Sequence, residues 1–136
     1  MPLNRKIKFL VVHCSDSDIR GHDNVETIRE WHLERGFNDI GYHYIITQDG
    51  VVHQGRHSEV QGAHTKGYNK DSLGICLTGR HHFSQHQFAS LRNLCEDLCA
   101  AHNLERFDIL HHRDFDKKKT CPNFDLFDVL SGGTHG

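Results

Sequence analysis

The chain has 136 residues, 36% of them apolar and 25% charged, with a formal net charge of −2. That length suits one domain able to bury a core without a disulfide framework. The near-neutral charge argues against a generic nucleic-acid binder, and no run approaches the ~18 apolar residues of a membrane-spanning helix.

The start, Met1-Pro2-Leu3-Asn4-Arg5-Lys6, passes directly into a strand-like run, without the apolar stretch and cleavage site of a signal peptide. Synthesis in the cytoplasm and a monomeric state are the expectations. Five cysteines, an odd number, read as free thiols or metal ligands rather than disulfides. Fourteen histidines are spread from His13 to His135. Most of these are ordinary surface side chains, so position must single out the functional few.

Ile7 to His13 is apolar and β-branched, the mark of a buried strand. A polar turn follows, and Asn24 then caps a helix that runs to about Arg35. Val25, Ile28, Trp31 and His32 share its inner side, and Gly36 stops it. Trp31 fits that core side better than a sugar-stacking platform. Tyr42 to Thr47 and Val51 to Gln54 form a hairpin around Asp49-Gly50. A loop rich in Gly, His and Lys spans 55–72, and Leu73 to Thr78 is a second buried strand. Ser84 and Gln87 make a capping box, opening a helix whose stripe is Phe88, Leu91, Cys95, Leu98 and His102. Cys95 and Cys99 are spaced like a metal pair, but Cys95 lies on the stripe and reads as core. Phe107 to His112 is a last strand, Phe124 to Leu130 a short helix, and 131–136 a disordered tail. The pattern predicts a single α/β domain over 1–136, its core about 7–130, with a mixed central sheet flanked by helices.

Ligands of open α/β sheets bind beyond the carboxyl ends of the strands. His13 closes the first strand, His111-His112 closes the last, and Cys121 follows in the next loop. Two histidines and a cysteine, with a fourth position open, have the composition of a catalytic zinc site. These residues lie far apart in sequence, and chance placement in so histidine-rich a chain is the competing reading.

Val11-Val12-His13-Cys14-Ser15, Ile40-Gly41-Tyr42-His43-Tyr44-Ile45-Ile46, Gly62-Ala63-His64-Thr65-Lys66-Gly67-Tyr68-Asn69, Ser72 to Leu77, His112-Arg113-Asp114 and Lys119-Thr120-Cys121-Pro122 occur in the order of one known family. The chain resembles the type 2 N-acetylmuramoyl-L-alanine amidases, the short phage lysozymes above all, over roughly 7–130. The resemblance implies one zinc ion held by His13, His112 and Cys121. His112 is preferred to His111 because a carboxylate, Asp114, follows it two residues on, and adjacent strand residues face opposite ways. The resemblance also makes Tyr42 and Lys119 catalytic, and Asp114 is expected either to orient a ligand or to be an ordinary surface carboxylate. It lines the substrate groove with His64, Thr65, Lys66, Tyr68 and Asn69. The expected reaction is hydrolysis of the amide between N-acetylmuramic acid and L-alanine in peptidoglycan, by a water that zinc makes acidic. Developing charge on the carbonyl oxygen would fall to the metal, Lys119 and Tyr42. The expected partner is peptidoglycan or a muropeptide, with no nucleic acid and no membrane insertion.

Three readings compete with a wall-cutting lysin. One is a cytoplasmic amidase that recycles muropeptides, and another a peptidoglycan-binding module without catalysis. The third is a hydrolase using Cys121 or Cys14 as nucleophile beside a histidine.

Overall fold

A computed structural model describes residues 5–132. Its elements are β1 (Phe9–Cys14), α1 (Val25–Glu34), β2 (Tyr44–Ile46), β3 (Val52–Gln54), β4 (Ser72–Leu77), α2 (Gln85–His102), β5 (Ile109–His111) and α3 (Leu126–Leu130). They form one five-stranded sheet in the order β3-β2-β4-β1-β5. β3 runs antiparallel to β2, and every other neighbouring pair is parallel, which makes the sheet mixed as the sequence predicts.

Local chemistry sets the boundaries. Asn24 accepts the Thr27 N–H (2.8 Å) at the start of α1, and Gly36 takes a φ of +91° just past its end. Ser84 and Gln87 exchange hydrogen bonds at the start of α2. The last strand is shorter than the sequence suggests. The Glu105 N–H donates to the Asp108 carboxylate (2.9 Å), which winds Arg106–Asp108 into a 3₁₀ turn and leaves Phe107 77% exposed. Ser131 and Gly132 complete the last turn of α3 through bonds to Phe127 and Val129, whereas the rest of the expected tail, 133–136, lies outside the described residues.

The strands' two-residue period divides the sheet into unequal faces. Leu10 and Val12 of β1, Leu73, Ile75 and Leu77 of β4, Ile46 of β2 and Ile109 of β5 pack toward α2 and α3. There they meet Phe88, Leu91, Cys95, Leu98, Phe124, Leu126 and Val129. This is the main core, and Cys95 sits in it as its place on the helical stripe requires. On the opposite face α1 covers a smaller cluster of Val25, Ile28, Ile40, Ile45 and Cys76, with Trp31 and Tyr42 at its margin. His13 shares its face with Val11, so it points to this thinner, more polar side.

Gln87 ties the main helix to the sheet. Fully buried, it donates to the carbonyls of Ile46 (3.0 Å) and Thr78 (2.9 Å) while its oxygen accepts the Ser84 N–H (2.9 Å). Gln87→Leu removes all three bonds from a dry site. It should cost about 1–3 kcal/mol, read as a lower urea midpoint at unchanged slope.

Candidate active site

His13 lies one residue before the end of β1, fully enclosed by β4 and β5, which pair with it on either side. On β5, Ile109 and His111 face the main core side, so the next residue, His112, turns toward His13. The His111 ring is engaged on the far side, where Nε2 accepts the Leu126 N–H (2.9 Å) and Nδ1 meets Asp114 (3.0 Å). Asp114 thus orients His111 and not a member of the cluster. The chain returns through a loop closed at its base by the Arg113 N–H donating to the Cys121 carbonyl (3.0 Å). The result brings one nitrogen of His13, one of His112 and the Cys121 sulfur within 4.8 Å of one another. His13 and His112 rings are 4.5 Å apart between centroids.

The protonation states suit a metal. Burial holds His13 well below the ordinary imidazole range, and the neighbouring His64 and His112 rings add to the effect. Burial and then the Lys119 ammonium lower His112 as well. Both rings therefore carry a free lone pair at neutral pH. The Cys14 thiol in contact with it, and then burial, push the Cys121 thiol up, so a cation is what would bring it to thiolate. The Cys14 N–H donates to the Cys121 sulfur (2.8 Å), a bond that favours the anionic form. Two imidazoles and a thiol, converging with one side open to a cleft, match the donor set of a metal with a free coordination position. All five cysteines are free thiols.

Two adjoining clefts cover the cluster. The first, of about 430 Å³, is bordered by Trp31, Arg35, Tyr42, His112, Lys119 and Cys121 among others, and the second, of about 710 Å³, by Arg35, Thr65, Lys66, Asn69, His112 and Lys119. Tyr42 lies just ahead of β2. Its ring stands 4.9 Å from that of His13, and burial, with the neighbouring thiols of Cys76, Cys121 and Cys14, keeps its hydroxyl protonated. Lys118 and Lys119 both border the first cleft, and Lys119 alone borders both.

The proposed groove residues have different surroundings. Lys66 is exposed on the second cleft. The Asn69 side-chain oxygen is already occupied, accepting the backbone N–H groups of His64 (2.9 Å) and Thr65 (2.8 Å). Thr65 and His64 are largely buried in the floor of the clefts, against His13. Tyr68 borders neither cleft and packs on Phe115, 4.3 Å between centroids.

Trp31, read from the sequence as core, is half-buried and forms part of the first cleft's wall. Arg35 gave no signal in the sequence. It caps the end of α1, packs over Phe37 at 5.1 Å, and borders both clefts with no salt bridge among the described residues.

Fold and site together define an α/β protein with a three-donor cluster, fit for a metal ion, at the carboxyl ends of its parallel strands. Residues 3–124 match the N-acetylmuramoyl-L-alanine amidase family, Amidase_2. The endolysin of Enterobacteria phage T3 is 40% identical over 125 residues, covering 86% of this chain and 81% of its own. Among solved structures, N-acetylmuramoyl-L-alanine amidase LysC from Clostridium intestinale URNW superposes with a TM-score of 0.84 at 28% identity, over 97% of this chain and 89% of that one. A Drosophila PGRP-LB variant in complex with tracheal cytotoxin gives a TM-score of 0.77 at 27% identity, over 99% and 88%. The chain belongs to the N-acetylmuramoyl-L-alanine amidase family. By that membership it is a hydrolase of peptidoglycan.

Two further histidines behind the site are built in as neutral acceptors. His32 Nδ1 accepts the Gly41 N–H (2.7 Å), and His43 Nδ1 accepts the Gly74 N–H (3.0 Å). Burial lowers each to about 4. In the unfolded chain both protonate near pH 6.5, so between about 6.5 and 4 the unfolded state binds protons that the folded state refuses. Stability should therefore hold above about pH 7 and fall steadily as pH drops through that window, seen as a declining urea midpoint across a pH series.

Proposed function

We propose that the chain is a zinc-dependent N-acetylmuramoyl-L-alanine amidase over its whole length, 1–136, with the ion held by His13, His112 and Cys121. The observation that carries this reading is the convergence of those three donors beneath an open cleft. When bound, a zinc ion supplies Lewis acidity and a water acidic enough to ionise near neutral pH.

The chain's own residues do the rest. The Tyr42 hydroxyl and the Lys119 ammonium flank the cluster. They are the donors available to the carbonyl oxygen of the lactyl–L-alanine amide as charge develops there. Lys119, Arg35 and Lys66 line the clefts with positive charge, which suits the carboxylates of an acidic stem peptide. Thr65, His64 and Asn69 support the groove floor, and Tyr68 holds the outer loop against Phe115. The substrate is peptidoglycan or a fragment of it, and the phage endolysins among the relatives favour action on the cell wall. No described helix is long and apolar enough to cross a membrane.

The test is metal content and activity on one preparation. About one zinc per chain is expected, with chelator-sensitive release of L-alanine amino termini from purified peptidoglycan. Cys121→Ser should lose both metal and activity, and Tyr42→Phe should keep the metal while kcat falls by about 100-fold. Zinc without release would favour a binding module. Activity that survives removal of zinc but not thiol alkylation would replace the metal with a cysteine nucleophile.

A further inference from the structure

His64 occupies a slot made by missing side chains. A Cβ on Gly74 would fall 2.6 Å from its ring, and one on Gly62 would fall 2.7 Å from it. Strand β4 and the 55–72 loop thus give up side-chain volume so that one imidazole can stand behind His13, its ring perpendicular to that of His13 with centroids 4.9 Å apart. The Asn69 side chain fixes the backbone of His64 from the other end. A slot this specific, with a polar ring inside, calls for an account beyond packing.

The hydrogen bonds around it dictate where its proton lies. The Ser72 hydroxyl donates its single proton to the Tyr68 carbonyl (2.8 Å). Its contact with His64 Nε2 (3.3 Å) can therefore be made only if Nε2 carries the proton. Among the described residues no carboxylate hydrogen-bonds to the His64 ring, and the neutral imidazole then has a bare Nδ1. That atom lies 2.9 Å from His13 Nε2 and 2.9 Å from the Thr65 hydroxyl, which donates to it. Two bare nitrogens do not face each other at that distance, so His13 Nε2 bears a proton. Thr65 Oγ, 3.3 Å away, is its secondary acceptor.

We infer that His64 is a positioning residue: through the chain Tyr68 carbonyl, Ser72, His64, it holds His13 in the Nε2–H tautomer and leaves Nδ1 as the atom with a free lone pair. The inference rests on the reading of His13 as a metal ligand. It gives His64, which lines both clefts, a part in the support of the site, since its ring nitrogens are both engaged before any substrate arrives. A ligand imidazole whose second nitrogen is bonded in this way is more basic and fixed in rotation, and loss of such a partner typically weakens metal binding by ~10–100-fold.

Three proteins test it: the full chain, His64→Leu, which removes the acceptor, and His64→Asn, whose side-chain oxygen falls near the position of Nδ1. Zinc affinity is measured by competition with a chromophoric chelator. The His13 tautomer is read from long-range ¹H–¹⁵N spectra of the metal-free protein. The expected result is an Nε2–H signature for His13 in the full chain and a ~10–100-fold loss of affinity in His64→Leu. His64→Asn should recover most of that loss. Unchanged affinity in His64→Leu would overturn the inference, as would an Nδ1–H signature in the parent or an Asn variant as weak as the Leu one. If the parent takes up no zinc, the metal-site reading fails. The tautomer spectrum still decides the positioning role by itself, as it does if His64→Leu does not fold.

Discussion

The site depends on the register of one strand. β1 is enclosed by β4 on one side and β5 on the other, and four of its six residues are at most 1% exposed. Leu10 and Val12 must enter the main core, and the period of two then sends His13 to the other face. A slip of one residue would exchange the faces, burying an imidazole among Phe88, Leu91 and Phe124 and expelling two aliphatic side chains. The apolar packing toward α2 therefore aims a polar group on the opposite side of the sheet. The same rule separates His111, held beside α3, from His112, which turns toward His13.

The face opposite the main core is a buried polar layer, which is stable only if every group in it is paired. Among the described residues, no buried side-chain nitrogen or oxygen lacks a hydrogen-bond partner. His32, His43, His64, Thr65 and Asn69 each receive or give a bond to backbone or to one another. Several groups that look available in the sequence are therefore already committed in the fold. Groups left to act at the clefts include the cluster of His13, His112 and Cys121, the Tyr42 hydroxyl, and the cationic ends of Arg35, Lys66 and Lys119.

The elements that repeat a simple pattern were legible from the residues. The apolar run of β1, the Asp49-Gly50 turn, the Ser84 and Gln87 capping box and the stripe through Cys95 each carry their own local physics. The two-residue strand period says only that one of His111 and His112 can face the site; the choice of His112 rests on the family resemblance. Phe107 misled, because an apolar residue beside Ile109 and Leu110 reads as strand, while the Asp108 carboxylate three residues after Glu105 winds the turn instead. Asp114 misled in the same way, since a carboxylate near a histidine does not say which histidine it serves. The slot around His64 left no trace in the residue types, because its walls are glycines and its partners lie eight and fifty-one positions away. Arg35 was silent for a related reason: only the approach of two cleft walls gives a helix-end arginine a place.

The loop from His112 to Cys121 is pinched shut at its base by the bond from the Arg113 N–H to the Cys121 carbonyl. Its tip, Lys117-Lys118-Lys119, is exposed. Such a stem separates two evolutionary pressures. Residues can be added or exchanged around Lys117 and Lys118, with Lys119 retained, while the base keeps the spacing between His112 and Cys121. Changes in what the rim touches then need not disturb the donors beneath it. Eight residues lie between those two donors here, and the stem makes that length a free parameter for natural variation or for deliberate loop grafting.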